Sequence, residues 1–167
     1  MSGPARSGYL GLGSNLGDRP QHLRAAIAAL EEGGVRVDAV SSLYETAPVG
    51  EYEGPQPDFL NLVVAITTAL APEELLDLCK RIERRRGRLP DGPRHGPRPL
   101  DADILLLGDL LVSGPRLTIP HAAMTARRFV LEPLLELEPG ASLPDGTALA
   151  AALAELPPER VKRRGSL

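Results

Sequence analysis

Phe59-Leu60-Asn61-Leu62-Val63-Val64-Ala65-Ile66-Thr67-Thr68-Ala69-Leu70 is apolar and rich in β-branched residues, and Ala71-Pro72-Glu73-Glu74 follows it directly. Such a run reads as a central strand, and a proline followed by two acids opens a helix in its first turn. The helix continues on Leu75, Leu76, Leu78, Cys79 and Ile82 and stops near Gly87. A buried strand feeding an amphipathic helix sets the frame for the segments on either side.

Upstream, Tyr9-Leu10-Gly11-Leu12-Gly13-Ser14 reads as a short buried strand. Asp18 then caps a helix, with Pro20 in its first turn, that runs on Leu23, Ala26, Ile27 and Leu30 until Gly33-Gly34. Residues 35–45 alternate and predict one further strand. Residues 46–57 hold three Pro and two Gly, a loop long enough to be functional. Downstream, residues 88–99 form a second such loop, with four Pro and two Gly, and 100–107 predict a strand. The order β-α-β-β-α-β predicts an α/β (α+β) chain with the ferredoxin-like sandwich and an antiparallel sheet. C-terminal helical additions follow: a strand or turn at 110–119, a helical stretch at 122–137, the turn Leu143-Pro144-Asp145-Gly146 and a short Ala-rich helix. The expectation is a single domain over 1–167, with 1–7 and 158–167 as frayed tails.

The 167 residues are 43% hydrophobic and 25% charged, which suits one globular domain and excludes disordered and collagen-like classes. Residues 1–8 lack the apolar run of a signal peptide, and no stretch of about 18 apolar residues occurs, so neither secretion nor a membrane partner is expected. The single cysteine, Cys79, sits in an apolar-periodic stretch and reads as a small buried hydrophobe. With no disulfide possible within the chain, a cytoplasmic setting is expected. Only five aromatics occur, Phe59, Phe129, Tyr9, Tyr44 and Tyr52, so the core must be aliphatic.

Charge is unevenly placed. Residues 80–98 carry eight basic residues against Glu83 and Asp91, a net +6 in a chain of net −3. One segment is thus built to meet an anion. Directly after it, Asp101-Ala102-Asp103 opens a strand, where alternation sends both carboxylates to one face about 7 Å apart. That pattern fits a solvated strand end or a bridging hard cation. Arg88, Arg94 and Arg98 just upstream fit either simple charge neutralisation or Mg²⁺-polyphosphate chemistry, in which guanidinium forks take up developing charge. Gly11-x-Gly13-x3-Gly17 misses the dinucleotide-binding spacing by one residue and reads as a tight turn with close backbone packing. No Ser-His-Asp set is legible, and His22, His95 and His121 lack metal-ligand spacing.

Six segments in order resemble the 6-hydroxymethyl-7,8-dihydropterin pyrophosphokinase family of folate biosynthesis. They are Leu12-Gly13-Ser14-Asn15-Leu16-Gly17-Asp18, Tyr44-Glu45-Thr46-Ala47-Pro48-Val49-Gly50, Pro57-Asp58-Phe59-Leu60-Asn61, Gly96-Pro97-Arg98-Pro99-Leu100-Asp101-Ala102-Asp103-Ile104, Leu117-Thr118-Ile119-Pro120-His121 and Arg127-Arg128-Phe129-Val130-Leu131-Glu132-Pro133-Leu134. The resemblance runs from about Tyr9 to Gly146. It implies an ATP-dependent pyrophosphokinase that moves the terminal pyrophosphate of Mg-ATP onto the hydroxymethyl group of the dihydropterin and releases AMP. By the same resemblance, Asp101 and Asp103 are ligands of two Mg²⁺ ions, and Arg88 and Arg98 clamp phosphates as catalytic residues. Glu83, Ile104, Arg116, Thr118, His121 and Arg127 are implied ATP contacts. Thr46, Pro48 and Asn61 are implied contacts to the pterin edge, and Phe59 and Phe129 fall where the family stacks two rings on the pterin.

The chain departs from the familiar pattern at Lys80, Pro90, His95, Pro99 and Ala102, which bears on how tightly the second loop closes. A binding-module reading uses the same topology, since RNA-recognition domains share it, with the basic segment tracking phosphates. That reading needs sheet aromatics and a Lys/Arg-Gly-Phe-type strand, and neither is present. A member that binds pterin or nucleotide without catalysis is disfavoured by the retention of Asp101, Asp103, Arg88 and Arg98. No nucleic acid, membrane or obligatory protein partner is expected beside the two small-molecule substrates.

Overall fold

The computed structural model describes residues 3–48, 54–88, 92 and 96–167. Tyr52, Arg94 and the departures Pro90 and His95 lie outside the described residues. The central strand is β4 (Phe59–Thr68), ten residues long. Along one edge it pairs antiparallel with β1 (Arg6–Ser14), and along the other with β2 (Val35–Val40) and β3 (Tyr44–Thr46). Beyond β1 lies β5 (Asp101–Leu107), also antiparallel. Helix α1 (Arg19–Glu32) connects β1 to β2, and α2 (Pro72–Arg85) connects β4 to β5, as the ferredoxin-like arrangement requires. Asp18 accepts the Gln21 N–H at the start of α1 (3.1 Å), and the Glu74 carboxylate accepts the Ala71 N–H at the start of α2 (2.9 Å).

Period-two alternation sorts the strands between two cores. Leu60, Leu62, Val64 and Ile66 of β4, with Leu10 and Leu12 of β1, pack against Leu23 and Leu30 of α1 and Leu75, Cys79 and Ile82 of α2. Val63 turns to the opposite face. There it meets Val130, Leu131 and Leu134 of α3 (Arg128–Leu137) and Leu149 of α4 (Leu149–Glu155). Cys79 is fully buried, and burial pushes its thiol up to about 12, so it packs as an inert hydrophobe. Among the described residues no helix is long and apolar enough to cross a membrane.

The structure departs from the sequence reading in four places. The strand expected over 35–45 is broken, because the Ser41 hydroxyl takes the Val63 N–H (2.9 Å) and frees β3 to form separately. The helical stretch expected over 122–137 is a 3₁₀ turn (Met124–Ala126) followed by α3. Residues 110–119 form the two-residue strands β6 (Val112–Ser113) and β7 (Thr118–Ile119), which pair only with each other. Finally, neither terminus is frayed along its expected length. Gly3 donates to the Ala69 carbonyl (2.9 Å) and β1 begins at Arg6, while β8 (Val161–Arg163) pairs with β3 and completes a sheet ordered β5-β1-β4-β3-β8.

Candidate active site

At the end of the sheet where β1 leaves and β5 enters, alternation places Asp101, Asp103, Asn61 and Phe59 on the face away from α1 and α2. In register, Gly13 lies between Asp101 and Asn61, and Gly11 lies opposite Asp103. A Cβ on Gly13 would fall 2.5 Å from Asn61 Oδ1 and 3.4 Å from the Phe59 ring. The two glycines therefore lie within β1 rather than in a tight turn, and Gly13 keeps the sheet surface clear. Only Gly17 of the motif takes a positive φ, +76°.

Over this surface opens a cavity of about 690 Å³. One wall carries Thr46, Phe59, Asn61 and Phe129. The other carries Lys80, Glu83, Arg84 and Arg88, with Arg98, Asp101, Asp103, His121 and Arg127 also facing the space. Five basic side chains against three carboxylates leave it net positive, suited to a ligand of several negative charges.

The carboxylates are tightly engaged. Glu83, 3% exposed, accepts the Ala102 N–H (2.8 Å) and Arg88 Nη1 (3.0 Å), and so fixes the start of β5 against α2. The same Arg88 nitrogen reaches Asp101 at 2.6 Å, and Arg98 Nη2 lies 3.5 Å from the other Asp101 oxygen. Burial pushes the Glu83 pKa up, against the opposing pull of the Ala102 hydrogen bond and Arg88. Burial, then the neighbouring Asp101 and Glu83 charges, push Asp103 well above the usual carboxylate range. Although burial opposes it, Asp101 and Glu83 hold Arg88 above its usual pKa, so it stays charged. At His121, burial and the Arg127 charge lower the pKa, and Nδ1 accepts the Ala123 N–H (3.1 Å). The neutral ring thus carries its proton on Nε2, a donor for a ligand.

On the opposite wall, Asn61 Nδ2 donates to Thr46 Oγ1 (2.7 Å), which turns the amide edge across the cavity floor. Each phenylalanine carries a guanidinium within cation–π range, Arg98 at 5.0 Å from the Phe59 centroid and Arg127 at 5.6 Å from that of Phe129. One side chain ties the described C-terminal ends of the two long loops together. The fully buried Asn15 donates to Gln56 Oε1 (2.9 Å) and the Pro57 carbonyl (3.0 Å), and accepts the Arg98 N–H (2.8 Å).

Eleven of the fifteen residues expected at the site thus share this cavity, and four do not line it. Ile104, 4% exposed, points with Ala102 into the core beneath the helices. Arg116 is turned outward onto Glu73 (2.9 Å) and Asp77 (2.7 Å) of α2. Thr118 is exposed on β7, and Pro48 stands aside while its neighbour Ala47 faces the space. Three contributors carried no expected site role, although Lys80 stood out as a departure from the family pattern. Lys80 and Arg84 share a helix face with Glu83 and Gly87, a periodicity visible within the basic run. Asn15 gave only its place in a motif.

Among the described residues no group of three or more His, Cys, Asp or Glu gathers to hold a metal. Asp101 and Asp103 alone nevertheless suit Mg²⁺, which is commonly held by one or two carboxylates, with substrate phosphates and water completing its shell. The raised Asp103 carboxyl, crowded by two like charges, is the kind of group a cation relieves.

The profile of the family described as 7,8-dihydro-6-hydroxymethylpterin-pyrophosphokinase (HPPK) matches residues 9–139. The 2-amino-4-hydroxy-6-hydroxymethyldihydropteridine pyrophosphokinase of Pseudomonas aeruginosa is 47% identical over 156 residues, covering 93% of this chain and 94% of that protein. The Bacillus subtilis protein of the same description is 48% identical over 130 residues, 77% of this chain and 76% of that one. The chain also matches, at 48% identity, 23% of the length of the mitochondrial folate synthesis bifunctional protein of Arabidopsis thaliana. Among solved structures, HPPK-DHPS of Plasmodium falciparum superposes with a TM-score of 0.72 at 16% identity, over 93% of this chain and 46% of that one, a likeness of fold.

Proposed function

The chain belongs to the 7,8-dihydro-6-hydroxymethylpterin-pyrophosphokinase family, and from that premise we propose how its cavity transfers pyrophosphate from ATP to 6-hydroxymethyl-7,8-dihydropterin, releasing AMP in folate biosynthesis. One observation carries the assignment of the parts. A carboxylate pair flanked by arginines shares a single cavity with a wall of Phe59, Phe129, Asn61 and Thr46, so a polyphosphate end and a flat heterocycle end lie side by side.

Arg88 and Arg98 hold the phosphates. Both now rest on Asp101, and a charged polyphosphate offers them bidentate acceptors in its place. Lys80 and Arg84 add charge along the α2 side, Arg127 adds it beside Phe129, and His121 Nε2–H donates to an oxygen of the nucleotide. Glu83 acts through Arg88 and Ala102 by fixing the arginine and the first residues of β5. On the pterin side, the Asn61 amide and the Thr46 segment bond the ring edge, and the Phe59 and Phe129 rings flank its faces, worth about 0.5–1.5 kcal/mol each beyond area. The hydroxymethyl oxygen attacks the β-phosphorus in line, the bond to the oxygen bridging the α- and β-phosphorus breaks, and AMP leaves with that oxygen. Holding both reactants in this relation is the chain's main contribution to rate.

Asp101 and Asp103 would hold two Mg²⁺ ions. When bound, these neutralise phosphate charge and favour ionisation of the attacking hydroxyl. A reducing cytoplasm is the setting we assign the enzyme, a reading that the free, buried Cys79 supports. The deciding assay measures AMP from ATP, with Mg²⁺ and the dihydropterin each present or omitted. AMP formed only with both is the expected result. ADP as product, or AMP independent of the pterin, refutes the reading.

A further inference from the structure

The C-terminal strand reaches the same cavity wall from behind. β3, three residues long, presents Thr46 to the cavity and is the foot from which the loop 47–58 departs. On one side it pairs Thr46 with Phe59 and Tyr44 with Asn61 of β4. On the other it pairs Thr46 with Val161 and Tyr44 with Arg163 of β8. The tail's backbone closes the ladder further, since Leu43 N donates to the Gly165 carbonyl (2.6 Å) and Arg164 N to the Leu43 carbonyl (2.8 Å).

Successive arginines of the tail then bond Ser42, just before β3, and Glu45 within it. Arg163 donates through Nε (3.0 Å) and Nη2 (2.8 Å) to the Ser42 hydroxyl, and that hydroxyl and the Ser42 N–H both reach Glu136 of α3. Arg164 donates to Glu45 Oε1 through Nη2 (3.0 Å) and Nε (3.3 Å). The second oxygen of Glu45 accepts Arg19 Nη1 (3.0 Å), and the same nitrogen donates to the Asp58 carbonyl (2.9 Å). Glu45 is therefore a junction that joins the tail, α1 and both feet of the loop 47–58. The Arg164 hydrogen bonds are the largest influence holding Glu45 below the usual carboxylate range, ahead of burial, which opposes them, and of Arg19.

We propose that residues 160–167, through Arg164 on Glu45, are a positioning brace for the pterin-binding wall. The inference rests on the assignment of Thr46 and Asn61 to the pterin. Without β8, β3 becomes a three-residue edge strand with open backbone groups, too short to hold its own register. Thr46 then loses its fixed place beneath the Asn61 amide, while the phosphate wall, built on α2 and β5, is untouched. The brace thus acts on one substrate and not on the other.

The test compares the wild-type chain, Arg164→Glu, Arg164→Lys and a chain ending at Glu159. KM for the dihydropterin and kcat come from AMP release, and affinity for a non-hydrolysable ATP analogue from calorimetry. Truncation and Arg164→Glu should raise the pterin KM about tenfold, the scale of a lost charge-assisted contact, with ATP-analogue affinity held within about twofold. Arg164→Lys should stay near wild type, and a peptide of residues 158–167 should restore the truncated chain. If truncation prevents folding by circular dichroism, Arg164→Glu decides alone. A pterin KM unchanged in folded Arg164→Glu, or equal losses for both substrates, overturns the brace. A wild-type chain that makes no AMP overturns instead the functional reading beneath it.

Discussion

Gly13→Ala probes the cavity floor with a single methyl group. The new Cβ would lie 2.5 Å from Asn61 Oδ1, whereas carbon and oxygen sit comfortably at about 3.3 Å, so the amide must recede by roughly 0.8 Å. Thr46 Oγ1, at 2.7 Å from Asn61 Nδ2, holds the amide in place, so the shift breaks that bond or swings the amide off the pterin edge. Losing one or two neutral hydrogen bonds, at about 0.5–1.5 kcal/mol each, weakens pterin binding by about 1–2 kcal/mol. That corresponds to a pterin KM about 5- to 30-fold higher. The fold suffers less. Crowding costs about 1–3 kcal/mol, and replacing a glycine returns about 0.4–1 kcal/mol through the unfolded chain, so Tm should fall by only a few degrees. Steady-state AMP assays with varied dihydropterin, beside calorimetric titration of an ATP analogue, separate the two effects. A folded Gly13→Ala enzyme with unchanged pterin KM, or with pterin and nucleotide weakened alike, would falsify the placement of Asn61 on the substrate edge.

Three further outcomes are expected. Asp103→Asn should abolish Mg²⁺-dependent AMP formation while leaving metal-free thermal stability equal or higher, because it removes one of three crowded carboxylates; a variant retaining near-normal turnover contradicts the metal assignment. Phe129→Ala should raise the pterin KM severalfold with nucleotide affinity nearly unchanged, and equal losses on both would make Phe129 a packing residue. Glu136→Gln should flatten the acid limb of the stability profile. Burial pushes Glu136 upward, but hydrogen bonds from Tyr44 and Ser42 outweigh it and leave its pKa below 4.5. A depressed carboxylate stabilises the fold above its unfolded pKa and loses that contribution as pH falls through the folded value. Urea midpoints at pH 7 and at about pH 3 should therefore converge in the variant relative to wild type, and parallel profiles refute the coupling.

Long elements were legible because their periodicity repeats often enough to be read. Ten residues of β4 and fourteen of α2 announce themselves by composition and spacing, and Asp18 and Pro20 mark the start of α1. The carboxylate pair and the basic run were equally plain, since like charges at close spacing demand a counter-ion. β3 and β8, three residues each, carry too few positions for any period to show, and β8 sits in a basic stretch that reads as solvent-exposed. The placement of Arg116 on Glu73 and Asp77 was likewise invisible, because it turns on which neighbouring helix the side chain meets, whereas the alternation that puts Asp101 and Asp103 on one face already sends Ile104 to the other.

The sequence by itself determined the order of the long elements, the aliphatic character of the core and the acidic and basic groups available to a site, because these follow from local periodicity and charge. Tertiary structure decided which of those groups meet. Pairing β1 between β4 and β5 sets Asp101, Gly13 and Asn61 side by side, although 88 positions separate the first two in the chain. It also carries Arg164 back onto Glu45, 119 positions away. Contacts at such separations arise from strand register and side-chain reach, which no local pattern encodes, and they convert a set of suitable residues into a site.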